Sequence, residues 1–292
     1  MHIPNHVLNP AVCAVTWIAA VGTLLSAVRV SSKTSSENDT MLKFAAVTIA
    51  VFVGQLLNYP ISPHTSGHLL GGVLAAVLLG IPLGMISIAL VLAVQSIIFG
   101  DGGAHALGAN IVNMAVIGAG LGGILFRIFK RQMPERVALV VASFCSVILA
   151  ALACSIEIAL SGRVTLLNAA KVVLPIHLLI ALVETVITVI LVDVISGLFS
   201  QRTQYGLTMI SLLAILFTPL MSPLPDGLES TFSRLNLAII PSSNALFQDY
   251  TIRWISHPYW SVVLAGLVGM MTVFICAKCF WKFLWRPKNS VV

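Results

Sequence analysis

Leu69-Leu70-Gly71-Gly72-Val73-Leu74-Ala75-Ala76-Val77-Leu78-Leu79-Gly80-Ile81-Pro82-Leu83-Gly84-Met85-Ile86-Ser87-Ile88-Ala89-Leu90-Val91-Leu92-Ala93-Val94-Gln95-Ser96-Ile97-Ile98-Phe99 runs without a single Lys, Arg, Asp or Glu. As one helix it would be about 45–50 Å long, against a hydrocarbon core of about 30 Å. Gly80-Ile81-Pro82-Leu83-Gly84 interrupts it, because Pro donates no backbone hydrogen bond and Gly relaxes the chain. We read two short membrane spans, 69–81 and 83–99, joined by a tight turn.

The basic residues test this reading. Arg29, Lys33 and Lys43 flank one connection. Arg127, Lys130, Arg131 and Arg136 crowd another, Arg202 stands in a third, and Lys278, Lys282, Arg286 and Lys288 mark the C-terminal end. Further apolar runs at 10–28, 42–61, 107–126, 137–160, 173–198, 206–222 and 259–283 bring the count to nine spans. With nine crossings and the N-terminus outside, all four basic clusters fall on the cytoplasmic side, whereas a single crossing at 69–99 would put the densest cluster outside. The expected fold is therefore an all-α polytopic membrane bundle of about nine spans, N-out and C-in.

Composition agrees. Of 292 residues, 58% are hydrophobic and 9% charged, with a mean hydropathy of +1.01. Soluble domains carry roughly 25% charged residues, so a soluble protein and a disordered one are both excluded. The net charge of +6 reflects the positive-inside bias, not a nucleic-acid surface. Five cysteines give no disulfide framework, and Cys276 and Cys279, inside an apolar run, read as helix packing. The first 28 residues contain no Lys or Arg, hence no secretory n-region, and the encoded N-terminus is expected to remain.

That orientation places Met1, His2, His6, the 62–68 loop, the 100–106 loop and the 223–258 segment outside. Methionine before a bulky His is normally retained, which leaves a free amine on Met1. This amine, the His2 amide nitrogen and His2 Nδ1 can close two fused chelate rings, giving three nitrogens in one plane. A deprotonated amide in a square-planar field suits Ni(II) or Cu(II) and not tetrahedral Zn(II). Pro4 stiffens the segment after the chelate. The fourth ligand should be a His on the same face. His68, read as the opening of the third span, is better fixed than His64. The alternative is that these imidazoles are solvated surface or helix-capping groups.

The start Met1-His2-Ile3-Pro4, the stretch Thr65-Ser66-Gly67-His68-Leu69-Leu70-Gly71-Gly72, Phe99-Gly100-Asp101-Gly102-Gly103, and Leu107-Gly108-Ala109-Asn110-Ile111-Val112-Asn113-Met114 stand in this order. Together they resemble the CbiM/NikM family, the substrate-binding membrane components of energy-coupling-factor transporters for cobalt and nickel. Pro225-Asp226-Gly227-Leu228-Glu229, Gln248-Asp249-Tyr250 and Leu264-Ala265-Gly266-Leu267-Val268-Gly269 resemble the PDGLE module, related to CbiN/NikN. The resemblance implies a seven-helix metal-binding core over 1–200 and a fused two-helix hairpin over 201–292. It implies Met1, His2 and His68 as metal ligands, with Asn110 and Asn113 matching polar positions of the family's GANILNM motif. It further implies no enzyme activity and no prosthetic group, with Ni2+ or Co2+ as transported substrate. A transmembrane coupling subunit and cytoplasmic ATPase subunits are the implied partners, in the inner membrane of a bacterium or archaeon. The chain departs from the family in Asn5-His6 and in His64, which would set extra imidazoles near the site.

Gln55, Gln95, Glu157, His177, Glu184 and Asp193 interrupt the apolar runs. His177 and Glu184, two helical turns apart, share a face that is either an ion pathway or an interhelical contact. Glu157 is expected to snorkel at the outer end of its span, and Asp193 could meet a partner subunit. Gly118-Ala119-Gly120-Leu121-Gly122-Gly123 reads as a close-packing stripe or a sliding surface. The sequence contains no P-loop, HExxH or GxSxG, so ATP energy would have to come from other chains. Two rival functions are an ion-coupled secondary transporter working through His177 and Glu184, and an intramembrane metalloenzyme.

Overall fold

The computed structural model describes residues 1–32, 38–198, 202–237 and 245–284. Lys33, Arg286, Lys288 and part of the 223–258 segment lie outside these. The order is α1 (Pro10–Ser31), α2 (Asn38–Leu56), β1 (Tyr59–Ser62), β2 (Thr65–Gly67), α3 (Gly72–Leu79), α4 (Ile81–Val94), α5 (Leu107–Asn110), α6 (Gly122–Phe129), α7 (Glu135–Leu160), α8 (Leu166–Leu198), α9 (Thr203–Ile215), α10 (Gly227–Arg234) and α11 (Pro258–Leu284). A π-helical turn, Gln95–Phe99, prolongs α4, and an eleven-residue π stretch, Ile111–Leu121, joins α5 to α6 in one rod. The chain is mostly helical and polytopic, as its hydropathy requires.

Among the described residues, seven helices are long and apolar enough to cross a membrane. The two other expected spans are shorter. Helix α9 ends at Ile215, after which Thr218–Leu220 forms a 3-10 turn around Pro219. Helix α3 has eight residues, about 12 Å at 1.5 Å per residue. Its missing depth is supplied by the buried, non-helical stretch Thr65–Gly71.

Non-helical backbone at membrane depth is tolerated only when protein satisfies its polar groups. Here Glu184 accepts from Leu70 N at 2.7 Å and Gly71 N at 2.8 Å, and Gln55 Nε2 donates to Leu70 O at 2.9 Å. His68 thus stands in an extended segment and not at a helix start, which corrects the span expected from residue 69. Gly71 takes φ +76°, and Gly80, at φ +81°, turns α3 back onto α4. The β1–β2 hairpin, with Tyr59 opposite Gly67, feeds this segment inward.

The connections expected outside gather at one end. Gly103 N donates to Ile3 O, Asn9 N to Ser161 Oγ, Ser66 N to Pro225 O, Ser222 N to Asn58 O and Phe247 N to Ile98 O. The described residues of the basic clusters lie at the opposite ends of these helices, where Lys130 pairs with Glu135 and Arg136 with Asp193. Glycines bring the elements close. A Cβ on Gly72 would collide with Gly118, one on Gly122 would come within 2.7 Å of Val73 Cγ2, and one on Gly269 of α11 would collide with Phe52. The 118–123 stripe is therefore used in internal packing.

Candidate metal site

The first residues fold back into the bundle. Ile3, fully buried, is clamped through its backbone: Ile3 N donates to Asn110 Oδ1 at 2.8 Å, while Asn110 Nδ2 and Gly103 N donate to Ile3 O. Gly102, at φ +82°, lets the 100–106 loop pass against His2: a Cβ there would lie 3.4 Å from His2 Cβ. Met1 and His2 are thereby held inside, 3% and 6% exposed.

Met1 N lies 2.7 Å from His68 Nε2, and the His2 and His68 rings are 5.1 Å apart. Their tautomers follow from their partners. His68 Nδ1 faces Leu69 O at 3.0 Å, and a carbonyl only accepts, so Nδ1 carries the proton and the Nε2 lone pair faces Met1. His2 Nε2 faces Gln95 Oε1 at 3.1 Å, which leaves the lone pair on Nδ1, the nitrogen a terminal chelate requires. Burial lowers the His2 pKa to about 4, outweighing the nearby Asp101 carboxylate, so the ring is neutral at physiological pH.

Two carboxylates flank the imidazoles, one at each ring. Asp101 Oδ1 is 3.4 Å from His2 Nδ1, and its Oδ2 accepts from Tyr250 Oη at 2.6 Å. Asp226 Oδ2 lies 3.5 Å from His68 Nε2 and 3.8 Å from Met1 N. Burial pushes the Asp226 carboxyl up, but the N-terminal ammonium beside it prevails and holds it below the usual carboxylate range. Acceptors facing acceptors at such short range require a positive centre between them, and the Met1 ammonium supplies one beside His68 and Asp226. Donor atoms of His2, His68 and Asp226 all lie within 4.8 Å of one another. They border a cavity of about 500 Å³ that Asn58, Glu229 and Tyr250 also line.

Met1, His2 and His68, distant in sequence, are thus brought together. Asn110 positions Ile3, and Asn113 Nδ2 donates to Glu157 Oε2 at 2.7 Å. Glu157 is buried against Asn113, so it does not snorkel, contrary to expectation. His6 and His64 are exposed and do not line the cavity. Both oxygens of Glu184 hold the His68 segment, and His177 Nδ1 bonds Val173 O, so this face of α8 makes structural contacts. Asp193 is engaged by Arg136. Sequence reasoning does not single out Asp101, Asp226 and Tyr250 for the site, nor Gln95 as the partner of His2. The first three stand inside recognisable motifs, and only their meeting in space marks them out.

Residues 2–201 match the family described as CbiM, cobalt uptake substrate-specific transmembrane region. A protein of Archaeoglobus fulgidus described as the fused nickel transport protein NikMN is 32% identical over 291 residues, covering 94% of this chain and 95% of its own. A Methanocaldococcus jannaschii protein described as the cobalt transport protein CbiM is 27% identical, covering 68% of this chain and 88% of its own. The crystal structure of a transition metal transporter superposes with a TM-score of 0.63 at 29% identity, over 72% of this chain and 98% of the other. The chain belongs to the CbiM/NikM family of metal-uptake membrane proteins, in the fused form that carries a NikN-like module at its C-terminal end.

Proposed function

We propose that the chain is the metal-specific component of an ATP-driven importer, capturing Ni2+, or Co2+, at the outer face. Met1 N, His2 N, His2 Nδ1 and His68 Nε2 are its ligands. The observation that carries this reading is the 2.7 Å approach of the buried Met1 amine to His68 Nε2, with the His2 ring alongside. In the metal-free state the ammonium occupies the place of the ion. Binding displaces one proton from the amine and one from the His2 amide, so an incoming dication exchanges for two protons. The carboxylates of Asp101 and Asp226 make the cavity attractive to a hydrated dication. Four nitrogens in a plane favour nickel over cobalt.

Residues 1–200 form the metal-binding core and 201–292 the module, in an inner membrane with the N-terminus outside. The sequence contains no P-loop, so reorientation and inward release need a transmembrane coupling subunit and ATPase subunits. Titration of the purified protein with Ni(II), Co(II) and Cu(II) tests the site. One nickel per chain should bind, and His68→Ala should abolish it. Unchanged binding in His68→Ala would overturn the site. Uptake in cells without the ATPase would favour the ion-coupled alternative.

A further inference from the structure

Asp226 belongs to the C-terminal module, yet it is built into the floor beneath His68. The two backbones are joined: Ser66 N donates to Pro225 O at 2.9 Å and Ser66 Oγ to Leu224 O at 2.8 Å, two residues ahead of His68. Gly227 packs where a Cβ would meet Ile176 and Ile180 of α8 at 2.8 Å, so only a glycine lets the segment sit this close to α8. The carboxylate is divided between two tasks. Oδ1 caps α10, accepting from Leu228 N at 2.8 Å and Glu229 N at 2.7 Å, and Glu229 returns the bond to Asp226 N. Fixed by that cap, Oδ2 is presented to Met1 N and His68 Nε2, two of the proposed nitrogen donors.

We infer that Asp226 Oδ2 is a further ligand of the ion, an oxygen supplied by the module to the four nitrogens of the core. This rests on the chelate proposed above. An oxygen outside the nitrogen plane gives five-coordination, which Co(II) accepts more readily than a strictly planar field allows. The module then does more than brace the bundle: it sets how far the site admits cobalt beside nickel. Donor atoms of His2, His68 and Asp226 already lie within 4.8 Å of one another, and Met1 N lies 3.8 Å from Asp226 Oδ2, so the ligands need only close in around an ion.

The test uses the intact protein loaded with Ni(II), read by X-ray absorption, and by Ni(II) and Co(II) titration, with Asp226→Asn and Asp226→Ser beside it. Asn and Ser are both good N-caps, so both variants keep α10 while removing the carboxylate. The wild type should show five N/O donors and lack the pre-edge feature of planar nickel. Both variants should show that feature, keep nickel, and lose cobalt affinity by about tenfold or more relative to nickel. A planar nickel spectrum in the wild type, unchanged in both variants, would overturn the inference while leaving the nitrogen chelate standing. Absence of nickel binding by the wild type would overturn both.

Discussion

At the scale of the residue, the site depends on which nitrogen of each imidazole is left without a proton. Leu69 O and Gln95 Oε1 make that choice for His68 and His2. Gln95→Leu removes the acceptor that fixes the His2 ring, and metal affinity should fall about 10–100-fold by calorimetric titration with little change in melting temperature. Equal affinity would show that the ring is oriented by other means. Met1, His2 and His68 can be chosen from sequence because terminal-amine chemistry is local and a His between turn residues stands out. Gln95, Asp101 and Asp226 cannot, because a lone polar residue in an apolar run or a loop acquires its partner only through packing. Glu157 is misplaced by sequence for the same reason: proximity to a helix end suggests water, and the structure provides Asn113.

At the scale of the element, the deciding feature is the failure of the third span to be a full helix. Helix bonds that residues 70 and 71 would have made are replaced by the Glu184 carboxylate and the Gln55 amide. Glu184→Ala leaves two buried N–H groups without an acceptor, at about 1–3 kcal/mol each. The expected result is a lower melting temperature accompanied by weaker nickel binding, because the His68 segment loosens. A protein of unchanged stability and affinity would contradict this account of the segment. The long apolar runs are legible because membrane spans announce themselves by length. The β1–β2 hairpin is not, since Pro60 and Pro63 disguise a strand pair as a loop. The start of α8 at Leu166 also escapes the sequence, because Asn168 and Lys171 break its apolar pattern. The division at Gly80 to Gly84 is readable, since Gly and Pro mark the turn directly.

At the scale of the whole molecule, the fold brings four distant segments to one point: the N-terminus, the extended chain before α3, the loop after α4 and the start of α10. Fusion matters here, because Asp226 and Tyr250 reach the site from the C-terminal module. Helix α11 packs through Gly269 and Gly266 against Phe52, Phe99 and Ile215, which keeps that module in register with α2. Electrostatics at this scale also support the proposed outward site: Asp101, Asp226 and Glu229 line its cavity, and the clustered Lys and Arg of the 127–136 turn stand at the other end of the bundle. The central claim is that the terminal amine itself binds the ion, and it is tested most directly by nickel calorimetry on the protein with and without a short extension preceding Met1. The account predicts one tightly bound nickel with the free amine and none detectable when that amine is converted to a peptide nitrogen; equal nickel binding by the two forms would contradict it.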